Sequence, residues 1–291
     1  MSDRLVKALA RDGRVRISIC DTKELVQEAK DRHDLWPTAS AALGRVLSVA
    51  VMMGSNLKSS QEKLTITING GGPIGTIMVD AYPDGSVRGF VGEGHVHYQY
   101  NDSGKLAVGI AVGKNGYLEV RRDMGLKEDF GGKVALQSGE IGDDFAYYFA
   151  LSEQTPSIVS VGVLVETDNN IIASGGLLIQ MMPDATEEDI QASEELIKHL
   201  RPMSEMLQEG MSLEAILKTL YDDVKVLEER SIRFSCSCSR ERMKAALSTL
   251  SVEDLNAMIE EDHGCEMNCQ FCGDSYTFDE DELKEIVAEK K

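Results

Sequence analysis

Residues 64–81, LTITINGGGPIGTIMVDA, decide between two fold classes. Gly70-x-Gly72-x-x-Gly75 matches the glycine fingerprint of dinucleotide-binding proteins, which requires a helix after the third glycine to hold a pyrophosphate. The residues that follow, Thr76 to Ala81, alternate as a strand instead, and Asn-Gly-Gly-Gly-Pro is turn chemistry. The stretch therefore reads as an antiparallel hairpin.

The same texture extends on both sides. Val15, Ile17 and Ile19 alternate with Arg14, Arg16, Ser18 and Cys20 as a half-buried strand, and Asp21 stands three residues before Glu24 like a capping box. Pro37 opens a run of small residues, Ala39, Ala41, Ala42, Gly44 and Ala50, interleaved with Leu43, Val46, Leu47, Val49 and Met53, which suits a buried helix packed closely on its neighbours. Short alternating runs at 87–91, 118–120, 159–165 and 176–181 are further strands. The expected fold is α+β, an N-terminal, mainly antiparallel sheet with helices, followed by a helical linker and a small C-terminal zinc-binding domain.

Charge marks the divisions. Residues 1–183 carry 22 acids and 18 bases, residues 184–230 carry 13 and 5, and residues 231–291 carry 14 and 7. From Asp184 the spacing is helical: Thr186 is a cap, Ile190, Leu196, Ile197 and Leu200 recur on one side, Pro202 interrupts, and Leu213, Ile216, Leu217 and Leu220 resume. Met203, Met206 and Met211 lie between them. This segment reads either as an ordinary connector with its stripe on a core or as a marginal, Met-rich element able to repack. The expected organisation is an N-terminal α+β core (1–183), an acidic helical linker (184–223) and a C-terminal domain (224–291).

A formal net charge of -19 on 291 residues has the wrong sign for nucleic acid or for an anionic membrane surface. No stretch reads as a membrane span, and the charges scattered through the first sixteen residues do not read as a signal peptide, so a cytoplasmic protein is expected. No Gly-x-Ser-x-Gly elbow and no His-Glu-x-x-His pair is present, and no enzymatic activity is expected. His95 and His97 read as solvated strand histidines, and Cys20 as a buried, unreactive thiol.

The chemistry concentrates in the tail. Cys236-Ser-Cys238 and Cys269-Gln-Phe-Cys272 are two chelating pairs separated by thirty residues, and four thiolates suit one tetrahedral Zn2+. Both side chains of an extended Cys-x-Cys lie on one face, and a Cys-x-x-Cys turn aims two sulfurs at one point. His263 and Cys265 complicate the assignment, because Cys265-x-x-x-Cys269 is also a plausible chelate. Met243, Leu247, Leu250, Leu255, Met258 and Ile259, with Tyr276, Phe278, Leu283, Ile286 and Val287, supply only a small apolar filling, so the tail should depend on its ion. The site reads either as a permanent staple or as a switch, since zinc keeps thiols in the form that oxidants attack.

Arg233-Phe-Ser-Cys-Ser-Cys-Ser-Arg240, Cys269-Gln-Phe-Cys272 and Tyr276-x-Phe278 resemble the redox-regulated 33-kDa heat-shock chaperone family. Leu57-Lys58, Gly71 to Gly75, Val87-Arg88-Gly89, Tyr148-Phe149, Ser152-Glu153-Gln154 and Gly175 to Gln180 carry the resemblance through the rest of the chain. It implies an ATP-independent holdase for unfolded or misfolded clients, inactive in the reduced form with one zinc on Cys236, Cys238, Cys269 and Cys272. It further implies activation by two disulfides, Cys236 with Cys238 and Cys269 with Cys272, with zinc release and a homodimer in the oxidised state. Cys265 is a departure that leaves an alternative disulfide with Cys269 open. Two other functions compete: a thiol-disulfide oxidoreductase, suggested by Cys269-x-x-Cys272, and a zinc-stapled adaptor.

Overall fold

The hairpin at 64–81 is present in the computed structural model, which describes residues 3–125 and 130–290. Strands Lys63–Asn69 and Thr76–Ala81 pair antiparallel, Asn69 opposite Thr76. The glycines between them let the turn approach the short helix Val108–Val112: a Cβ on Gly70 would lie 2.2 Å from the Gly113 carbonyl oxygen, and one on Gly72 would lie 2.4 Å from that of Ala111. The fingerprint spacing thus serves backbone packing, with the N–H of Ile74 donating to the Ala111 carbonyl at 3.0 Å.

The chain divides into two compact units, Met1–Ser235 and Cys236–Lys291. The first contains two sheets. A five-stranded antiparallel sheet runs in the order Lys225–Ser231, Arg4–Ala10, Val15–Asp21, Ile171–Met181, Ser157–Val165. A six-stranded sheet runs Arg233–Phe234, Ser86–Val91, Thr76–Ala81, Lys63–Asn69, Tyr117–Asp123, Phe130–Ala135, antiparallel except where Arg233–Phe234 lies parallel to Ser86–Val91.

Helix Pro37–Gly54 packs on strands of both sheets. Its small residues permit this, because a Cβ on Gly44 would meet Val26 at 2.8 Å and Val163 at 2.9 Å. Against expectation, this helix is long and apolar enough to span a bilayer, with a hydropathy of 1.2 over 18 residues; 89% of it is buried inside the fold, and it serves as the core helix.

The acidic segment folds as three helices, Glu187–His199, Met203–Gln208 and Leu213–Leu220, laid on the five-stranded sheet. Met203, Met206, Ile216 and Leu217 are buried there with Val6, Val15, Ile17, Ile19 and Ile179. Strand Val15–Asp21 is consequently buried on both faces rather than half-buried, since Cys20 Sγ lies 3.7 Å from the Ser48 carbonyl of the core helix. Sequence alternation in that strand reflects two different coverings, the acidic helices over Val15, Ile17 and Ile19 and the core helix over Cys20.

Capping differs in one place. Thr186 and Asp189 form the expected start of an acidic helix as a reciprocal capping box. Asp21 is the last residue of its strand and makes no such box with Glu24; the free N–H groups of Glu24 and Leu25 donate instead to buried Asp3, at 3.0 and 2.7 Å.

Polar clamps fix the acidic helices. The buried Asp189 carboxylate receives Arg14 Nε at 2.7 Å and Arg11 Nε at 2.8 Å, and these bonds, Arg14 first, hold its pKa far below the usual carboxylate range. Arg4 grips Glu214 with two nitrogens at 2.6 and 2.8 Å and also reaches Glu229 at 2.9 Å, which brings Glu214 down to about 2. Both groups have depressed folded-state values. Their contribution to stability is complete above the unfolded carboxylate range and is lost as pH falls, for Glu214 between 4.5 and about 2.

Acidification through this window should therefore raise protease cleavage within 184–221 before cleavage in the sheets, and Asp189→Asn should reduce that pH dependence. Leu217→Ala, which empties a fully buried site, should cost about 2–5 kcal/mol in the stability of this helical layer by chemical denaturation.

Candidate metal centre

Cys236 and Cys238 lie in an irregular segment ended by Ser239, whose Oγ accepts the Arg242 N–H and starts helix Arg240–Leu247. Cys269 and Cys272 occupy the turn of a second hairpin, between strands Gly264–Asn268 and Ser275–Asp279. The N–H groups of Cys272 and Gly273 both donate to the Cys269 carbonyl, at 3.3 and 2.8 Å, and Gly273 has φ +75°. This tight turn folds the second pair back over the first.

The four sulfurs lie within 4.8 Å of one another. Cys236 Sγ is 3.7 Å from Cys269 Sγ, and Cys238 Sγ is 3.2 Å from Cys272 Sγ. A tetrahedron of zinc–sulfur bonds has edges of ~3.8 Å, so the donor set fits a tetrahedral ion with small adjustments. Cys269 and Cys272 are buried and the other two half-buried. Burial pushes the Cys238 and Cys272 thiols up, the latter strongly, so thiolates at this spacing need positive charge among them. Four soft donors, converging and shielded, suit Zn2+ better than hard cations, which prefer oxygen.

Two neighbours escape a reading of the sequence. Tyr276 Oη lies 3.2 Å from Cys238 Sγ, a bond that pushes the phenol up, and Asp274 Oδ2 lies 3.9 Å from the same sulfur. Only the hairpin register, which folds Tyr276 back beside the turn, brings them there.

Cys265 stands outside the group of four. It pairs across the hairpin with Phe278 and is half-buried against the small core, beside a cavity shared with Arg240, His263 and Glu282. His263 is exposed and bonded to Glu280 at 2.6 Å. In the first unit, His95 and His97 are solvated but lie beyond strand Ser86–Val91 in irregular chain, not in a strand; His95 stacks on Trp36 at 5.2 Å and bonds Asp34 at 3.0 Å. Cys20 is fully buried, and burial pushes its thiol far up.

The unit that contains the four sulfurs has a thin core of Leu247, Leu255, Phe278, Leu283, Ile286 and Val287. Arg240 adds a lid, its guanidinium 4.5 Å from the Phe278 ring centre and paired with Glu282 at 2.7 Å. Such a core is small for independent folding, and the converging sulfurs, with the Cys238–Tyr276 and Arg240–Phe278 contacts, are where the Cys-x-Cys segment meets the hairpin.

The Hsp33 protein family model matches residues 3–279. A 33 kDa chaperonin from Geobacillus kaustophilus is 51% identical over 288 residues, 98% of each chain. One from Halalkalibacterium halodurans is 47% identical, covering 99% of this chain and all of that one. The crystal structure of a 33 kDa chaperonin (heat shock protein 33 homolog) from Thermotoga maritima superposes with a TM-score of 0.92 at 36% identity, over 100% of this chain and 99% of that chain.

Cys265→Ser should leave one zinc per reduced chain by elemental analysis, whereas Cys272→Ser should lower zinc affinity at least 100-fold in a chelator competition and destabilise the second unit.

Proposed function

The chain belongs to the Hsp33 family, and from that premise and the four-sulfur cluster we propose that it is a redox-regulated chaperone, an ATP-independent holdase that keeps unfolding proteins from aggregating under oxidative stress. Reduced and inactive, it holds one Zn2+ on Cys236, Cys238, Cys269 and Cys272. The ion supplies a cross-link between two distant segments and keeps the ligands as thiolates.

Activation is sulfur chemistry. Cys236 with Cys238, and Cys269 with Cys272, are each a pair of thiolates that gives up two electrons to form a sulfur–sulfur bond; with hydrogen peroxide as oxidant, each disulfide consumes one peroxide and two protons from solvent and yields two waters. Sulfurs bonded to each other no longer serve as thiolate ligands, so the metal is released. Disulfides closing loops of three and four residues cannot replace the lost link between the pairs. With six buried apolar side chains, the second unit then loosens.

In this reading residues 1–183 are the chaperone core, 184–223 the linker and 224–291 the redox-switch domain, whose compact part begins at Cys236. Chain continuity gives a route for the change. Ser235 N–H donates to the Val87 carbonyl, strand Lys225–Ser231 pairs with Arg4–Ala10, and Arg4 bridges Glu229 of that strand and Glu214 of the acidic helices. Helices released from this clamp would uncover the apolar face of Val6, Val15, Ile17 and Ile179 together with their own methionines, a surface suited to unfolded chains. The active species is a cytoplasmic homodimer acting on proteins, not on nucleic acid or membrane.

The observation that carries this reading is the convergence of all four sulfurs within 4.8 Å. The oxidoreductase alternative is weaker, because Cys269-x-x-Cys272 lies on a β-hairpin turn rather than at the start of a helix, and burial pushes the Cys272 thiol up, away from the reactive thiolate.

Treatment of the zinc-loaded chain with peroxide or hypochlorous acid should consume four thiols, release one zinc and suppress light scattering by a denatured client near stoichiometric ratios. Peptide mapping should find the bridges within the two pairs. Oxidation of all four thiols without any effect on aggregation contradicts the proposal.

A further inference from the structure

Between the two sheets of the first unit, near the carboxyl end of helix Pro37–Gly54, lies a cavity of about 360 Å³. Met53, Phe149 and Leu178 give it an apolar wall, while Arg16, Lys58 and Arg122 bring positive charge and Glu62 and Glu153 negative charge. The cavity opens to solvent at Asn56, Lys58 and Met124, and its three cations outnumber its two carboxylates in a protein of net charge -19.

Most of these charges are accounted for. Arg122 donates to Glu153 at 2.7 Å, and Glu153 also accepts from Tyr148 Oη at 2.8 Å. Glu62 accepts the Lys58 backbone N–H at 3.2 Å. Arg16 is different. Its one hydrogen bond runs from Nη2 to the neutral Gln180 side-chain oxygen at 2.8 Å, and its Nε is closed off from solvent with no partner among the described residues. Arg45 also has an unpartnered Nε, but its Nη1 meets Glu140 at 2.7 Å.

Arg16 thus has a strand position between buried Val15 and Ile17, a half-buried guanidinium whose Nε is closed off from solvent, and no carboxylate in contact among the described residues. Burial lowers its pKa, with only the more distant charge of Glu153 opposing. An underpaired cation in a site that would accept an apolar side chain is destabilising, and the deficit is one negative charge and a hydrogen-bond acceptor. Leu57-Lys58, Phe149, Glu153 and Gln180, which carry the family resemblance far from the cysteines, all reach this cavity.

We propose that this cavity binds a small monocarboxylate with an apolar body, its carboxylate on the Arg16 guanidinium and the Gln180 amide and its body against Met53, Phe149 and Leu178. The charge count selects the class. A monoanion completes Arg16, with Lys58 at hand, whereas a phosphate dianion would meet Glu62 and Glu153 with too few free cations. The site lies wholly within the first unit and is independent of the redox reading.

The test is a titration of the full-length, reduced, zinc-loaded chain with hexanoate, with hexylamine and inorganic phosphate in parallel, followed through the methyl resonances of Met53 and by thermal melting. Hexanoate should give saturable shifts and raise the melting temperature, and phosphate should bind at least tenfold more weakly. Arg16→Met should lose hexanoate binding at least tenfold while melting no lower than the native chain, because it removes the underpaired cation. A merely structural arginine would behave oppositely, with Arg16→Met lowering the melting temperature and leaving hexanoate shifts unchanged. If that variant does not fold, Arg16→Lys, which keeps the charge but loses the Nε donor, should weaken hexanoate. Absence of saturable hexanoate binding by the native chain, or tighter binding of phosphate, overturns the proposal.

Discussion

Four sulfur atoms lie within 4.8 Å of one another, and in the proposed function an ion held among them is what keeps a unit with a small core folded. Among the described residues from Cys236 onward, the core is six buried apolar side chains with half-buried ones such as Met243, Met258 and Ile259 packed against them, a small core for a segment of this length. Structural zinc sites contribute about 10–16 kcal/mol of apparent binding free energy, against a net stability of about 5–15 kcal/mol for a typical domain. In the proposed function, a single chemical event at the sulfurs therefore decides whether this part of the chain is folded.

The first unit is built on the opposite principle. Its core helix is enclosed by two sheets, with backbones drawn close by Gly44 and Gly54, and its stability does not rest on any one bond. The acidic helices between these regimes combine a real apolar seam, Met203 to Leu220, with ion-pair clamps at Asp189 and Glu214. Methionine fills that seam without specifying it tightly, and the clamps involve partly exposed arginines, so the layer is the part of the first unit best suited to detach.

Much of this was legible in the sequence for definite reasons. Period-two alternation marks the strands at 15–19, 64–68 and 77–79, and strand residues after Gly75 exclude a dinucleotide turn. Cysteine spacing pointed to the cluster because chelate geometry is local: a Cys-x-x-Cys turn and a Cys-x-Cys segment each prearrange two sulfurs. What was not legible is nonlocal. Double-sided burial of Val15–Asp21 depends on a layer contributed by residues some 180 positions later. Asp3 capping a helix at Glu24, Tyr276 beside Cys238 and the underpaired Arg16 all arise from tertiary packing that spacing does not encode. The apolar length of Pro37–Gly54 shows the converse, since composition alone does not distinguish a core helix from a membrane span.

The central claim, that the cysteine cluster and its ion hold the second unit closed, is tested most directly by amide hydrogen exchange across residues 236–290. The comparison is the reduced, zinc-loaded chain against the same reduced chain stripped by a chelator. The account predicts that protection in helix Glu280–Glu289 and strand Ser275–Asp279 collapses on stripping while strand Lys63–Asn69 stays protected. Unchanged protection of the second unit in the metal-free, reduced chain would contradict it.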